Sequence, residues 1–220
     1  MGDVCHIDLK TKCDIRAIRY CQSGRKHSFQ GFSGIIIDGE TLTADEDANY
    51  RAYVCNLQKE KSRTVISNSD ASHAKIVLSD LLKSVKKSVK IYCSEQDVEF
   101  FNQPDSILRR VFHEFLADLQ SKEVEVLLDG CADSSISMLK KLSIPDQIKI
   151  KVISPKSRRQ MQFDMGTENN FHMLIVDSRA YRYEYDTVKH AAICSFNDKQ
   201  QCKQMENVFN RAFRASVNLL

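Results

Sequence analysis

The chain has 220 residues, of which 42 % are hydrophobic and 28 % are charged, a balance typical of folded globular proteins and not of disordered ones. The 32 Lys and Arg residues against 29 Asp and Glu residues give a net charge of +3, which excludes a uniformly cationic surface but leaves room for a local basic site. No stretch approaches the roughly 18 uninterrupted apolar residues of a membrane-spanning helix, and no apolar segment follows a basic start at the N-terminus. We therefore expect a cytoplasmic protein that does not enter a membrane.

Eight cysteines are present, and no two of them have the C-x2-C or C-x4-C spacing of a zinc knuckle. Thiols stay reduced in the cytoplasm, and several of the cysteines lie inside apolar runs. We predict that most of them are small buried hydrophobes and that the protein needs no cofactor. The regular spacing of Cys5, Cys13 and Cys21, with His6 and His27 nearby, leaves a metal site open as the alternative.

Residues 1–66 are predicted to form a small α+β region, either as a separate domain or as part of the following one. Apolar and polar residues alternate over Val4–Leu9 and Asp14–Tyr20, as they do in half-buried strands, and Gly31 and Gly39 bracket a third strand. Acidic residues after Thr43 indicate the first turn of a helix over Ala44–Lys59.

From about residue 67 to the end, strands and helices alternate, which predicts parallel strands joined by crossover helices in an α/β domain. Ser69 or Asp70 is the expected cap of the first helix, which would run to about Lys87. The elements expected next are a strand over Val89–Cys93, a helix over Ser106–Gln120, a strand over Val124–Leu128, a helix over Ser134–Leu142 and a strand over Ile148–Ile153.

The final third of the chain is predicted to contain four strands with short connections, followed by one amphipathic helix. Asp177 and Ser178 form the expected tight turn between the second and third of these strands. The strands are expected over Met161–Phe163, Phe171–Val176, Ala180–Glu184 and Lys189–Phe196, and the helix over about Asp198–Val217.

Three polar residues stand out in this third: Asn170 and His172, then four apolar residues, then Asp177 at the turn. Residues 170 and 172 would share one face of a strand, because side chains alternate. The pattern and the element order around it resemble the phospholipase D superfamily, whose half-domains carry H-x-K-x4-D. The resemblance spans about residues 67–216 and implies a mixed sheet flanked by helices.

Aligned on Asp177, the histidine of that family falls at Asn170 and its lysine at His172. An amide has no basic nitrogen with which to attack phosphorus, so the resemblance implies a degenerate site and favours a protein that is not an enzyme. Alternatively, His172 is itself the nucleophile, oriented by Asp177 or Glu184. The chain carries one copy of the motif, whereas active members of the family use two, from one chain or from a dimer.

Basic residues are concentrated in three clusters that we expect to surround this site and to contact phosphate or nucleic acid. The first would be one stripe of a helix, the second precedes the motif strands, and the third alternates with Tyr181, Tyr183 and Tyr185. One apolar face of a sheet would explain the three tyrosines equally well. The clusters are Lys83, Lys86, Lys87 and Lys90; Lys156, Arg158 and Arg159; and Arg179 and Arg182.

Three functions remain open at this point. The first is a non-catalytic phospholipase D-like module that binds nucleic acid, a partner protein or both, as a subunit of a bacterial defence or mobile-element assembly. The second is a metal-independent phosphodiesterase or nuclease that works as a homodimer. The third is a protein-interaction scaffold that has no nucleic-acid role.

Overall fold

A computed structural model describes residues 43–68, 70–94, 114–115, 122–130 and 148–218 of the chain. The chain divides into two compact units, Met1–Asp45 and Glu46–Leu220. Several predictions lie outside the described residues: the three N-terminal strands, the metal site at Cys5, Cys13 and Cys21, the helix over residues 134–142, and all of the helix over residues 106–120 except the helical positions 114 and 115.

The described residues form four helices and eight strands, numbered here in chain order. The helices are α1 (Thr43–Lys59), α2 (Ala71–Lys83), α3 (Pro155–Met165) and α4 (Lys199–Arg214). The strands are β1 (Ile66–Asn68), β2 (Ser88–Ser94), β3 (Glu123–Asp129), β4 (Ile148–Val152), β5 (His172–Val176), β6 (Ala180–Asp186), β7 (Ala191–Ser195) and β8 (Val217–Asn218).

All eight strands belong to one mixed sheet in the order β1-β7-β6-β5-β2-β3-β4-β8. The strands β2, β3 and β4 are parallel, as the alternation of strands and helices predicts. The strands β5, β6 and β7 are antiparallel and extend the sheet from β2. The predicted mixed α/β sheet flanked by helices is therefore confirmed.

Helices cover both faces of the sheet, and alternate residues of each strand enter different cores. On the first face, Leu174 and Val176 of β5 pack in one core with residues of α1 and α2. On the second face, Met173 and Ile175 pack in another core with residues of α3 and α4. A residue's position along β5 or β6 thus decides which core it faces.

The closing helix agrees with its prediction. The Asp198 side chain accepts a hydrogen bond from the backbone N–H of Gln201 and caps α4. The residues Cys202, Met205 and Phe209 recur at helical spacing and are buried on the second face. Among the described residues, no helix has the length and apolar character that crossing a membrane requires.

The buried cysteines also agree with their prediction. Cys93, Cys194 and Cys202 are buried, and the cysteines in the described part of the chain are not in disulfides. Burial raises the pKa of the Cys194 thiol to about 12. This thiol is therefore protonated and inert at neutral pH.

The strand predicted over Met161–Phe163 is wrong, because these residues lie inside α3. Ser154 caps this helix, Pro155 occupies its first turn, and Gly166 ends it with a φ of 67°. The helix α3 is mostly polar, and Met161 is its one buried residue. The segment Met161–Phe163 is too short to show a helical period by itself.

The helix α2 ends at Lys83, four residues before the predicted end, and Asp70 is its cap. The Ser84 hydroxyl donates to the carbonyl oxygen of Leu81 at 2.8 Å and satisfies a group that the next turn would otherwise use. Lys86 and Lys87 therefore lie in the connection to β2, and Lys90 lies on β2 itself. The predicted helical stripe of four lysines is not formed.

Candidate functional site

A buried histidine–carboxylate pair lies at the start of β5. His172 and Glu184 are register partners on the neighbouring strands β5 and β6. The Nδ1 atom of His172 lies 2.8 Å from Oε2 of Glu184, and the two side chains are 12 % and 5 % exposed. This contact fixes the orientation of the imidazole ring.

The other oxygen of Glu184 serves two more groups, Arg182 and His190. We call His172, Arg182, Glu184 and His190 the buried polar cluster after its buried centre, Arg182 and Glu184, while the His190 side chain is 32 % exposed. Oε1 lies 3.0 Å from Nδ1 of His190 and accepts from Nη2 of Arg182 at 3.2 Å. The backbone oxygen of His190 accepts from Arg182 at 3.2 Å and from the Asn68 amide at 2.8 Å. His190 has a φ of 52°, a left-handed conformation that side chains rarely adopt.

The carboxylate of Glu184 is held in its charged form. Burial alone would raise its pKa, but the hydrogen bond from His172 and the charge of Arg182 outweigh burial and lower the pKa to about 2. The cluster therefore contains a permanent negative charge beside the permanent positive charge of Arg182.

The cluster lines a cavity of about 40 Å³ on the first face of the sheet, against Ala74 and Leu78 of α2. This volume holds roughly three water molecules. Arg182 is 4 % exposed, and its Nε atom has no hydrogen-bond partner among the described residues.

The predicted pairing of Asn170 with His172 on one strand face is wrong. The strand β5 begins at His172, and Asn170 is exposed in the loop that follows α3. The amide N–H of Asn169 donates to the Thr167 hydroxyl, so this loop makes its own local hydrogen bond. Asn170 does not belong to the buried polar cluster.

Asp177 lies at the other end of β5, about 17 Å from His172 along the strand. Its carboxylate accepts hydrogen bonds from the backbone N–H groups of Lys86, Lys87 and Ser88 at 3.0, 2.8 and 3.0 Å. Asp177 therefore fixes the loop before β2 and cannot orient His172. Of the two orienting residues considered for His172, the structure brings only Glu184 into contact.

Four of the predicted basic site residues have structural partners. Lys90 pairs with Glu125 on the neighbouring strand β3. Arg158 lies 3.4 Å from Asp129. Arg179 donates to the backbone oxygens of Phe196 and Ser84, and Arg182 belongs to the buried polar cluster.

Tyr181 and Tyr183, which alternate with Arg182 along β6, do not join it in one site, because they lie on the opposite face of the strand. Tyr181 and Tyr183 pack in the core of the second face. Arg182 lies on the first face with the cavity. The alternative explanation of the tyrosines, an apolar face of a sheet, is confirmed for these two.

The five other predicted basic residues are exposed and make no ion pair within the described part of the chain. Lys83 is the last residue of α2, and Lys86 and Lys87 lie in the connection to β2; we call these three residues the lysine loop. Lys156 and Arg159 lie on α3, which packs on the second face of the sheet. The cavity of His172 is on the first face, so the three clusters do not surround one pocket.

Sequence reasoning did not identify His190, and it assigned Arg182 to a surface. The signal present in the sequence was the spacing of Arg182 and Glu184, which places both on one face of β6. Only the register with β5 shows that His172 shares that face. Within the described residues, no group of three His, Cys, Asp or Glu side chains could hold a metal ion.

No protein-family model matches this sequence. No curated protein matches it either.

The solved structures that are similar to this chain include the following three. The archaeal chromatin protein TrmBL2, whose structure shows a novel mode of DNA binding, has a TM-score of 0.49 and 10 % identity, with 80 % of this chain and 62 % of that chain covered. Nuc from Salmonella typhimurium, a phospholipase D family member, has a TM-score of 0.47 and 10 % identity, with coverage of 70 % and 97 %. Phosphatidylserine synthase of Haemophilus influenzae has a TM-score of 0.45 and 15 % identity, with coverage of 83 % and 48 %. This chain thus spans less than two thirds of the first and third proteins.

Proposed function

We propose that this chain is a non-catalytic phospholipase D-like module that binds the phosphate backbone of nucleic acid through the lysine loop. One observation carries the proposal: Lys83, Lys86 and Lys87 are exposed together near the point where β2 begins, and they make no ion pair within the described residues. Like charges held close together repel, and a polyanion that binds them relieves this repulsion.

The lack of chemistry in this proposal follows from the position of the motif. The residue that replaces the family histidine, Asn170, is an exposed amide outside the strand. His172 is engaged with Glu184, whose Oε2 atom lies 2.8 Å from its Nδ1 atom. Binding therefore takes place on the exposed surface at the lysine loop.

The test of this proposal is the affinity for a fluorescent DNA duplex of about 20 base pairs, measured by fluorescence anisotropy at salt concentrations between about 50 and 200 mM. Three phosphate contacts predict a slope of log K against log salt of about −3. We expect Lys86→Glu and Lys87→Glu each to weaken binding about tenfold and to reduce that slope by about 1.

The matched control is Lys189→Glu, an exposed lysine in the turn between β6 and β7, which should bind as the wild type does. Arg158→Glu is a poorer probe, because it would break the contact with Asp129. A wild-type protein that binds neither DNA nor RNA at 50 mM salt would overturn the proposal.

A second candidate function, a metal-independent phosphodiesterase, is favoured by the 2.8 Å contact between His172 and Glu184 beside the cavity. In it, His172 is the nucleophile, Glu184 orients the ring, and two copies of the chain supply one histidine each across a two-fold axis.

This candidate predicts hydrolysis of bis(p-nitrophenyl) phosphate in the presence of EDTA, at least a hundredfold slower in His172→Ala. The control is His73→Ala, a histidine at the start of α2 that does not line the cavity. Absence of hydrolysis by the wild type, which our first proposal predicts, rules out this candidate.

Membership of a bacterial assembly is also part of the first proposal and rests on the family resemblance alone. It predicts that the full chain co-purifies with one defined protein partner at physiological salt. Recovery of the chain alone or as a homodimer would contradict this part of the proposal.

A further inference from the structure

The turn between β5 and β6 holds the lysine loop through one carboxylate. Its two central residues, Asp177 and Ser178, have φ values of 50° and 53°, as a tight hairpin turn requires. We propose that Asp177 is the positioning residue of the lysine loop, fixing Lys86 and Lys87 in the arrangement that contacts phosphates. This inference rests on the proposed nucleic-acid function.

The contacts of Asp177 span the middle of the loop. Both of its oxygens accept from the N–H of Lys86, at 3.3 and 3.0 Å, and Oδ1 also accepts from the N–H groups of Lys87 and Ser88. Three successive N–H groups that converge on one anion form an anion-binding nest, here filled by the protein's own side chain. The Asp177 side chain is 8 % exposed, so water competes little for these bonds.

Further hydrogen bonds from the same turn hold both ends of the loop. The N–H of Asp177 donates to the backbone oxygen of Ser88 at 2.9 Å. The guanidinium of Arg179 donates to the backbone oxygen of Ser84 at 3.2 Å. The backbone from Ser84 to Ser88 is therefore fixed from one side, while the ammonium groups of Lys86 and Lys87 remain in solvent.

A fixed loop lowers the entropy that binding must remove, since only the lysine side chains are left to be ordered. The charge of Asp177 acts in the opposite direction, because a carboxylate near the lysines repels an incoming phosphate. The positioning role and the simple charge effect thus predict changes of opposite sign when the carboxylate is neutralised.

The experiment compares Asp177→Asn with Glu206→Gln in the duplex-binding assay at 100 mM salt. Each variant loses one negative charge, so its net charge rises by one. Glu206 contacts the same turn through the Ser178 hydroxyl but does not touch the loop amides. We expect Asp177→Asn to bind about fivefold more weakly despite its added charge, and Glu206→Gln to bind as tightly as the wild type or up to about twofold more tightly.

Tighter binding by both variants would overturn the positioning role and leave the proposed function intact. A wild type that binds no duplex would instead overturn the proposed function. Affinities are measured at a temperature well below the thermal unfolding midpoint of each variant. Each variant is then fully folded, so lost stability alone would not weaken binding.

If Asp177→Asn does not fold, hydrogen exchange of the wild type tests whether Asp177 holds the backbone of the loop in solution. The amides of Lys86, Lys87 and Ser88 should exchange at least a hundredfold more slowly than an unprotected amide in the absence of DNA. Unprotected amides at these positions would overturn the inference.

Discussion

Substitution of Glu184 by Gln is expected to lower the free energy of unfolding at pH 7 by about 3 kcal/mol. The carboxylate is 5 % exposed and is shared by His172, His190 and Arg182. Glutamine keeps the shape of the side chain but removes the charge, so Arg182 is left buried without its counter-charge. Breaking a buried pair in this way has a cost of the same size in other proteins, about 3–5 kcal/mol.

The unfolding free energy that is lost in Glu184→Gln should depend on pH, and the direction of this dependence follows from the lowered pKa of Glu184. The pKa of Glu184 is about 2 in the folded chain, compared with 4.5 for a glutamate in the unfolded chain. A lowered pKa means that the carboxylate stabilises the fold above about pH 4.5 and that this stabilisation is lost as the pH falls towards 2. Urea unfolding of the wild type and Glu184→Gln between pH 7 and pH 2.5 should therefore give curves that converge at the acid end.

Glu206→Gln serves as the control for this experiment, because Glu206 is a more exposed carboxylate on α4 whose removal should change stability by less than about 0.5 kcal/mol. A loss of stability in Glu184→Gln that stayed constant down to pH 2.5 would show that hydrogen bonding, and not charge, sets the contribution of Glu184. Equal stabilities at pH 7 would show that the charge of Glu184 contributes nothing net to folding.

Phe209→Ala is expected to cost about 3–5 kcal/mol of unfolding free energy. The Phe209 side chain is 0 % exposed and lies in the core on the second face of the sheet. Its ring stacks on Phe213 at 5.5 Å, and the ammonium of Lys90 lies 5.6 Å from its centroid. The substitution removes these contacts and leaves a cavity between α4 and the sheet, because neighbouring side chains relax only partly.

A matched control is available on the neighbouring helix. Phe163 lies on α3 and is 80 % exposed, so Phe163→Ala should change stability by less than about 0.5 kcal/mol. Thermal or urea unfolding of both variants checks the pair. Equal losses at the two positions would contradict the assignment of Phe209 to the core.

The sequence predicts those parts of the fold whose pattern is complete within one segment. The stripe of Cys202, Met205 and Phe209 is long enough to reveal the helical period of α4, and Asp198 marks its start. Asp177 and Ser178 mark the turn between β5 and β6 equally well. The mixed sheet follows from the order of such segments.

The candidate site could not be predicted in the same way, because it depends on contacts between segments. The spacing of Lys83, Lys86 and Lys87 fits a helical stripe, and only the Ser84 hydroxyl bond shows where the helix stops. The position of the lysine loop beside Asp177 depends on the antiparallel pairing of β5 with β2. The partners of Glu184 depend on the register of β6, which hydrophobic alternation leaves open.

The pairing of β1 with β7 has a consequence for biosynthesis. Ile66 pairs with Cys194, so a strand made early waits on the ribosome for a partner made near the end of the described chain. Until then, the first core lacks Cys194 and Phe196 and leaves apolar side chains of α1 and α2 exposed to other nascent chains. Folding of the sheet is therefore expected to wait until Phe196 has been made and to be slow, since long-range pairing sets the rate.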